Sequence, residues 1–268
     1  MTPSDRDFLR GLFDAAVRAA DPMTCLAKVL PTSPKGRVVV VGFGKGAAQM
    51  AAAFEVLWGD PVEGVIVTRY GYATACKHIR VLEASHPVPD EAGLLASAAL
   101  MEAVSNLTED DLVVALVCGG GSALLPMPPE GLTLADEQAM NEALLASGAP
   151  ISVMNAIRKQ VSGIKGGRLV AAAHPARVLS LVVSDVPGDD LAEVASGPTV
   201  ASKTTRAQAL SLIDHYAIKL PPSIMAHLNS DTGVAPSPDD PVFARCETRL
   251  VASAALSLEA AAAQAHIS

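Results

Sequence analysis

The feature that most constrains the fold is an apolar run that ends in three consecutive glycines. Residues 112–117 are uninterrupted apolar and rich in valine, as expected of a strand buried on both faces in the middle of a parallel sheet. Cys118, the three glycines and Ser122 follow directly. Such a turn can point several backbone N–H groups into one concavity, where they favour an anion, most often phosphate. The simpler alternative is a tight strand-to-helix turn without a ligand.

Strand-like and helix-like segments alternate along nearly the whole chain. The predicted helices include residues 151–160, 165–173, 222–228 and 254–265. This alternation predicts an α/β fold: a mostly parallel, doubly wound, Rossmann-like sheet with helices on both faces. In such sheets, ligands bind beyond the carboxyl ends of the strands, near the point where the strand order reverses. Three polar motifs follow predicted strands, at residues 42–47, 118–122 and 184–190. Their shared position predicts that they form one site.

Composition narrows the class of protein. The chain has 268 residues, and half of them are apolar, which is enough for a sizeable core. A proline-rich polar stretch over residues 229–241 predicts a loop or linker. The net charge of −8, without a Lys/Arg run, argues against a nucleic-acid surface.

Cysteines and termini carry further expectations. The four cysteines are scattered and form no CxxC motif, so neither a zinc site nor a disulfide framework is indicated. The polar, acidic first residues do not resemble a signal peptide, and no apolar run has transmembrane length. We therefore expect a soluble cytoplasmic protein with no membrane partner.

The segment from Gly42 to Ala47 fits the G-x-G-x-x-A form of the dinucleotide fingerprint. That fingerprint also requires an acidic residue about 20 positions further on. Thr68 and Arg69 occupy that place, which disfavours NAD and leaves only a narrow case for NADP. Lys45 can instead serve as a point charge for a phosphoryl group, the alternative being an exposed lysine at a helix start.

Two further loops hold candidate ligand-binding residues. His86 and Asp90 lie in a proline-rich loop after the third predicted strand, where both can point into a site. The alternatives are that Asp90 caps the next helix and that His86 is structural. Residues 196–199 (Ser-Gly-Pro-Thr) form a second candidate phosphate loop, for which a simple turn is an equal alternative.

A cationic cluster lies in the second half of the chain. On a predicted helix, Asn155, Arg158 and Lys159 share one face, and Lys165 and the glycines 166–167 follow. In an acidic protein, a one-sided cationic cluster beside glycines suggests an anion pocket, whereas the alternative is a solvated helix face.

An acidic motif follows the next predicted strand. Asp185, Asp189 and Asp190 stand at its end. Carboxylates beside a phosphate site hold Mg²⁺ or accept a proton from an attacking hydroxyl.

Taken together, the motifs resemble those of the class II glycerate kinases, whose members have often been labelled hydroxypyruvate reductases. The resemblance runs from about residue 38 to 200, through the segments GFGKGAAQMA, TRYGY, EASHPVPDEAG, CGGGSALL, GAPISVMNAIRKQVSGIKGGRLV and SDVPGDDLAEVASGPT. It implies two α/β domains with an active-site cleft between them. It also implies ATP-dependent phosphorylation of D-glycerate to 2-phosphoglycerate with a divalent metal, so that ATP and Mg²⁺ are the expected cofactors.

The resemblance also implies site residues. Lys45 matches the lysine proposed to act on the transferred phosphoryl group, and Asp185 and Asp189 match the acidic motif that supplies a catalytic carboxylate and Mg²⁺ ligands. Which aspartate is catalytic is left open. The residues expected to bind glycerate or nucleotide are Gly44, His86, Asp90, Gly119, Gly120, Gly121, Ser122, Asn155, Arg158, Lys159, Lys165, Gly166, Gly167, Ser196, Gly197 and Thr199.

The chain departs from the family pattern in two places. Cys118 stands where serine is commoner, and family members continue with a C-terminal domain that closes the cleft. The resemblance therefore implies one large domain over residues 1–240 and the start of a second, truncated domain over residues 241–268. We therefore expect the 268-residue chain alone to bind ligand weakly, with impaired kinase activity. An NADP-dependent hydroxypyruvate reductase and a non-catalytic anion-binding module are kept as alternatives, and a homodimer is left open.

Overall fold

The computed structural model describes residues 3–267 and arranges six strands of that part of the chain in one sheet. All neighbouring strands are parallel, in the order β3-β2-β1-β4-β5-β6, which confirms the predicted doubly wound α/β class. The strands are β1 Val38–Phe43, β2 Glu63–Arg69, β3 Ile79–Ala84, β4 Leu112–Cys118, β5 Arg177–Val183 and β6 Cys246–Ala252.

The two central strands, β1 and β4, set the position of the site. Every residue of both strands is buried, which explains their continuous valine-rich sequences. From β1 the sheet grows towards β2 and β3 on one side and towards β4, β5 and β6 on the other. Phe43 pairs with Val117, so the loops after β1 and β4 begin side by side. This is the switch point at which doubly wound sheets bind ligands.

Helices cover both faces of the sheet. Leu100 of α4 and Leu169 of α8 belong to the core on one face, whereas Met50 and Phe54 of α3 belong to the core on the other. The helices are α1 Pro3–Ala19, α2 Pro22–Leu26, α3 Ala47–Trp58, α4 Glu91–Ala103, α5 Gly121–Leu124, α6 Leu134–Ala146, α7 Ile151–Gln160, α8 Arg168–Ala173, α9 Arg206–His215, α10 Pro222–Leu228 and α11 Ala254–Ala265, with 3-10 turns at Val194–Ser196 and Pro241–Phe243.

Four of the helices form a separate packing unit. Leu144 of α6, Ile157 of α7, Ile213 of α9 and Ile224 of α10 belong to a third apolar cluster. This cluster anchors α7, which carries most of the predicted cationic residues. None of the helices in residues 3–267 is both long and apolar enough to cross a membrane.

The start of α8 differs from the sequence-based expectation. A helix was expected from Lys165, but α8 begins at Arg168 because Gly166 and Gly167 adopt φ values of +64° and +86°. These left-handed conformations cannot continue a right-handed helix.

The last strand and helix extend the same architecture. β6 pairs in parallel with β5, and α11 packs against α1. The domain boundary at residue 240 remains a prediction. Within the described residues, the segment after it contributes a strand to the common sheet.

Candidate active site

The loops after β1 and β4 are joined by backbone contacts. The Lys45 amide donates to the Gly119 carbonyl at 2.9 Å, and the Gly46 amide donates to the Cys118 sulfur at 2.8 Å. Gly44 has a φ of +124°, and a β-carbon there would lie 2.6 Å from the same sulfur. Only glycine at position 44 allows the loops after β1 and β4 to approach each other this closely.

Each glycine of the triple-glycine turn faces a different part of the site. A β-carbon on Gly119 would collide with the Asp185 carboxylate. One on Gly120 would lie 2.9 Å from Lys45 Cε and 3.1 Å from His86 Nε2, and one on Gly121 would lie 2.6 Å from Ala195 Cβ. The turn is therefore the meeting point of loops from β1, β3, β4 and β5.

The first of two recesses lies on the Lys45 side of this turn. Its volume is about 320 Å³, and Lys45, Gly119 and Asp185 line it together with apolar side chains from the α2 and α3 region. The Asp185 carboxylate is exposed to solvent. A cation, an anion and bare backbone thus converge here, as the sequence analysis expected.

Asp189 is placed differently from Asp185. It occupies a tight turn, with a φ of +53° and its amide donating to the Val186 carbonyl at 3.1 Å. Within residues 3–267, no hydrogen bond or ion pair links its side chain to Lys45 or to the glycine turn.

The second recess is lined by Gly120, whereas the first is lined by its neighbour Gly119. Its volume is about 230 Å³. Its lining combines apolar side chains with the polar residues His86, Ser122, Asn141, Arg158 and Lys165. Burial, followed by the positive charges of Lys45 and Arg69, lowers the pKa of His86 below its usual value. His86 is therefore neutral at pH 7.

The two lysines of the predicted cationic cluster are neutralised by acids, of which Glu137 is buried and Glu193 is partly buried. Lys159 pairs with Glu193 at 2.6 Å, and Lys165 pairs with Glu137 at 2.8 Å. Lys159 is 3% exposed and Lys165 is 2% exposed. Burial excludes the alternative of a solvated helix face for these lysines, because an ammonium this deeply buried requires a nearby opposite charge. Lys165 also lines the second recess, and the predicted ligand contacts of both lysines remain predictions.

Asn155 also lies behind the recess rather than in its lining. Its amide nitrogen donates to Glu193 at 2.9 Å, and its carbonyl oxygen accepts from Arg158 at 3.2 Å. Its predicted ligand contact remains a prediction, whereas its bonds support a positioning role. Glu137 and Glu193 were missed by the sequence analysis.

Arg158 is the cation of this cluster that keeps binding capacity. Its Nε donates to Asn141 at 2.8 Å and its Nη1 to Asn155. No carboxylate pairs with it among the described residues. Burial lowers its pKa, and the Glu137 carboxylate opposes that shift.

The segment around Ser196 supports the glycine turn from behind. Ser122 and Ser196 share a hydroxyl–hydroxyl hydrogen bond of 2.7 Å, and Ser196 is completely buried. Its amide and that of Gly197 donate to the carbonyls of Glu193 and Val194. These amides are therefore not available to a phosphate, and the simple-turn alternative describes them.

Backbone strain marks the same segment. Ala195, Ser196 and Gly197 have φ values of +53°, +61° and +59°. Two hydrogen bonds hold this segment in place. The Gly166 amide donates to the Ser196 carbonyl at 3.1 Å, and the Gly167 amide donates to the Gly197 carbonyl at 2.8 Å. Strained backbone of this kind persists where surrounding contacts enforce it. Thr199 is buried nearby.

Asp90 caps a helix, which was one of the two interpretations of this residue. Its carboxylate accepts from the Gly93 and Ser85 amides at 3.0 and 3.2 Å and from the Tyr70 hydroxyl at 2.7 Å. Burial acts to raise its pKa, but these hydrogen bonds outweigh it and lower the pKa overall. Its proposed ligand contact remains a prediction.

Backbone amides of the segment that fits the dinucleotide fingerprint already donate hydrogen bonds within the protein. The amides of Gly44, Lys45 and Gly46 donate to Val67, Gly119 and Cys118. In a dinucleotide site, this turn approaches the pyrophosphate with its backbone. These contacts argue against NADP at this turn.

The geometry defines a doubly wound α/β protein whose switch point gathers a glycine turn, a lysine and an aspartate. A family model described as a domain of unknown function (DUF4147) matches residues 8–229, and the chain belongs to that family.

Similar proteins carry two kinds of name. A protein of Agrobacterium vitis named "Putative hydroxypyruvate reductase" is 51% identical over 98% of this chain and 59% of its own length. The "Glycerate 2-kinase" of Pyrococcus horikoshii is 38% identical over 81% of this chain and 52% of its own length. These matches confirm the resemblance to the glycerate kinases that the motifs indicated.

A solved structure supports the same relationship. The crystal structure of a glycerate kinase from Thermotoga maritima superposes with a TM-score of 0.90 at 32% identity, over 99% of this chain and 63% of that one. The chain thus spans between about half and three-fifths of the length of these curated relatives.

Proposed function

We propose that this chain carries the phosphoryl-transfer site of a glycerate 2-kinase, which converts ATP and D-glycerate to ADP and 2-phosphoglycerate. The observation that carries the proposal is the convergence of Lys45, the turn Gly119–Gly121 and Asp185 at the switch point of the sheet. The names of the relatives support the same reaction.

The chain's own groups suit a reaction that depends on positioning and charge neutralisation. Lys45 supplies a positive charge for the transferred phosphoryl group. The amides of Gly120 and Gly121 donate to no acceptor outside their own helical turn in the described part of the chain, so they can face phosphate oxygens. Asp185 adjoins this turn directly.

Asp185 is the aspartate that we assign to the acceptor hydroxyl. The hydroxyl oxygen of glycerate attacks the terminal phosphorus of ATP, and the bond from that phosphorus to the bridging oxygen breaks. The hydroxyl proton passes to the Asp185 carboxylate. Asp189 is disfavoured for this role because no contact places it beside Lys45 or the glycine turn.

The acidic strand end fits a magnesium ion that is shared with a nucleotide. Mg²⁺ is usually held by one or two carboxylates together with substrate phosphates. Residues 3–267 contain no cluster of three or more metal-binding side chains, which is consistent with this mode. Asp185 and Asp189 would hold the ion, which would neutralise charge on the phosphates when bound.

The test is a coupled assay that detects 2-phosphoglycerate through enolase. We expect product from D-glycerate and ATP–Mg²⁺. Lys45→Met should lower turnover by about 100-fold, the effect of losing one charge-stabilising group. Lys35→Met removes an exposed lysine far from the site and should change nothing. An unchanged rate in Lys45→Met would contradict the proposal.

The second candidate is an NADP-dependent hydroxypyruvate reductase, which the name of the 51% identical relative favours. The occupied amides of Gly44, Lys45 and Gly46 count against it. Loss of NADPH absorbance with hydroxypyruvate, measured beside the kinase assay, decides between the two. The cytoplasmic location and a homodimer stay predictions.

A further inference from the structure

We infer that the two recesses divide the substrates: the recess lined by His86, Ser122 and Arg158 binds the acceptor through its carboxylate, and the recess lined by Lys45 and Asp185 takes the nucleotide phosphates. This inference rests on the proposed kinase function. Its ligand class is a short hydroxy acid that carries a single carboxylate.

The size of the Arg158 recess selects a small ligand. Its volume of about 230 Å³ lies below the roughly 300–1,000 Å³ of pockets that bind drug-sized ligands. A three-carbon hydroxy acid fits in such a recess, whereas an intact nucleotide belongs to the drug-sized class. The apolar wall of Pro87, Ala123, Leu145 and Ile151 suits the carbon skeleton of such an acid.

The charge of the recess matches one carboxylate. Lys165 is balanced by Glu137 at 2.8 Å, so this pair adds no net charge. Arg158 remains as one positive charge without a carboxylate partner among the described residues. A monoanion therefore completes the pairing, whereas a dianion or a neutral polyol does not.

Arg158 is also oriented in advance. Asn141 accepts from its Nε and Asn155 from its Nη1. Asn155 is itself held by Glu193 at 2.9 Å. The guanidinium plane is thus fixed before ligand arrives, and its remaining N–H groups can meet a carboxylate as a fork.

Gly120 lines the Arg158 recess, and its neighbour Gly119 lines the Lys45 recess. Lys45 Cε and His86 Nε2 lie 2.9 and 3.1 Å from the position of a β-carbon on Gly120, so the two side chains meet at this residue. An acceptor held by Arg158 therefore presents its hydroxyl one residue away from the phosphate-facing groups. This proximity is what transfer between two separately bound substrates requires.

The experiment measures binding of D-glycerate and of ATP–Mg²⁺ separately to the 268-residue chain, by ligand-observed NMR at millimolar ligand. Arg158→Gln should raise the Kd for D-glycerate at least tenfold and leave the Kd for ATP–Mg²⁺ within twofold. Lys45→Met should do the reverse. Glycerol and the dicarboxylate tartronate should bind at least tenfold more weakly than D-glycerate.

Matched variants keep the test independent of folding. Arg80→Gln makes the same change of charge at an exposed site and should leave both affinities unchanged. Arg158→Lys keeps the positive charge but loses the two parallel N–H donors of the guanidinium, so it should weaken D-glycerate binding to an intermediate degree. This variant keeps the test available if Arg158→Gln does not fold. The inference would be overturned if the Arg158 variants lost binding of ATP–Mg²⁺ and kept binding of D-glycerate. It would also be overturned if the wild-type chain did not bind D-glycerate.

Failure of the inference and failure of the kinase function are distinguishable. If D-glycerate binding depends on Arg158 but no phosphoryl transfer is detected, the acceptor subsite is supported and the kinase function is contradicted. If phosphoryl transfer occurs and the KM for D-glycerate is unchanged in Arg158→Gln, the kinase function is supported and the acceptor subsite is contradicted.

Discussion

The α-carbon of Gly119 faces the carboxylate of Asp185 so closely that a β-carbon at position 119 would overlap it. Gly119 follows β4 and Asp185 follows β5, strands that pair at their carboxyl ends through Cys118 and Val183. The glycine is therefore required for the close approach of a functional side chain. Its role is more specific than the general flexibility of a glycine-rich turn.

Gly119→Ala should displace the Asp185 carboxylate or shift the turn. We expect loss of phosphoryl transfer with a change in unfolding free energy of no more than about 0.5 kcal/mol, because the exposed Asp185 side chain can move aside. Urea unfolding and the enolase-coupled assay measure the two effects. Gly11→Ala is the control, because nothing lies within 4 Å of a β-carbon on Gly11 in helix α1. Full activity in Gly119→Ala would show that Asp185 needs no fixed position.

Cys118 accepts a hydrogen bond from the Gly46 amide at 2.8 Å, so its substitutions should separate into two classes. Cys118→Ser keeps an acceptor and should change the unfolding free energy by less than about 1 kcal/mol, the size of one ordinary hydrogen bond. Cys118→Val leaves the Gly46 amide without that acceptor and should cost about 1–3 kcal/mol. Equal unfolding free energies for the two variants would show that the contact contributes nothing.

The elements that the sequence predicted well are those whose pattern is local. The bounds of α7, α10 and α11 match the prediction, because breakers or caps stand beside apolar runs. Strand β4 was predicted within one residue, since a strand buried on both faces is apolar throughout. The meeting of the loops at 45 and 119 followed from the topology of parallel sheets.

The ion pairs of the two buried lysines could not be predicted from local sequence patterns. Lys165 pairs with Glu137, 28 residues earlier in the chain, and Lys159 pairs with Glu193, 34 residues later. No periodicity connects positions so far apart, so the cluster was interpreted as an anion pocket. Only the tertiary fold brings these partners together: Glu137 lies in α6 and Lys165 after α7, whereas Lys159 lies in α7 and Glu193 just before the 3-10 turn Val194–Ser196. The choice between the two aspartates likewise depended on the turn that follows β5.

The buried pair of Glu137 and Lys165 predicts a large effect from a small substitution. Glu137→Gln leaves the Lys165 ammonium buried without a counter-charge, which should lower the unfolding free energy by about 3–5 kcal/mol. Glu63→Gln removes the partner of Arg37 in an exposed pair, for which about 0–1 kcal/mol is expected. Both values are read from urea denaturation.

A double variant separates pairing from packing at the same site. Glu137→Met combined with Lys165→Met replaces both charges by apolar side chains, so it should recover much of the stability lost in Glu137→Gln. A double variant as unstable as Glu137→Gln would contradict an electrostatic origin of the effect.

His86 should make stability depend on pH in the mildly acidic range. Burial and the charges of Lys45 and Arg69 lower its pKa in the fold, while Asp185 acts in the opposite direction. Between the folded pKa and the unfolded value near 6.5, the unfolded chain binds more protons, so stability is present above that value and lost as pH falls. Urea unfolding at pH values from about 7.5 to about 5.5 should show this decline.

His86→Gln should flatten that profile in part. His227 also has a pKa lowered by burial and contributes with the same sign, so His227→Gln should remove another share and the double variant more than either. The difference between the wild-type and His86→Gln profiles isolates the imidazole beside Gly120. A slope unchanged by His86→Gln would mean that neither burial nor the charges of Lys45 and Arg69 lower the pKa of this imidazole in the fold.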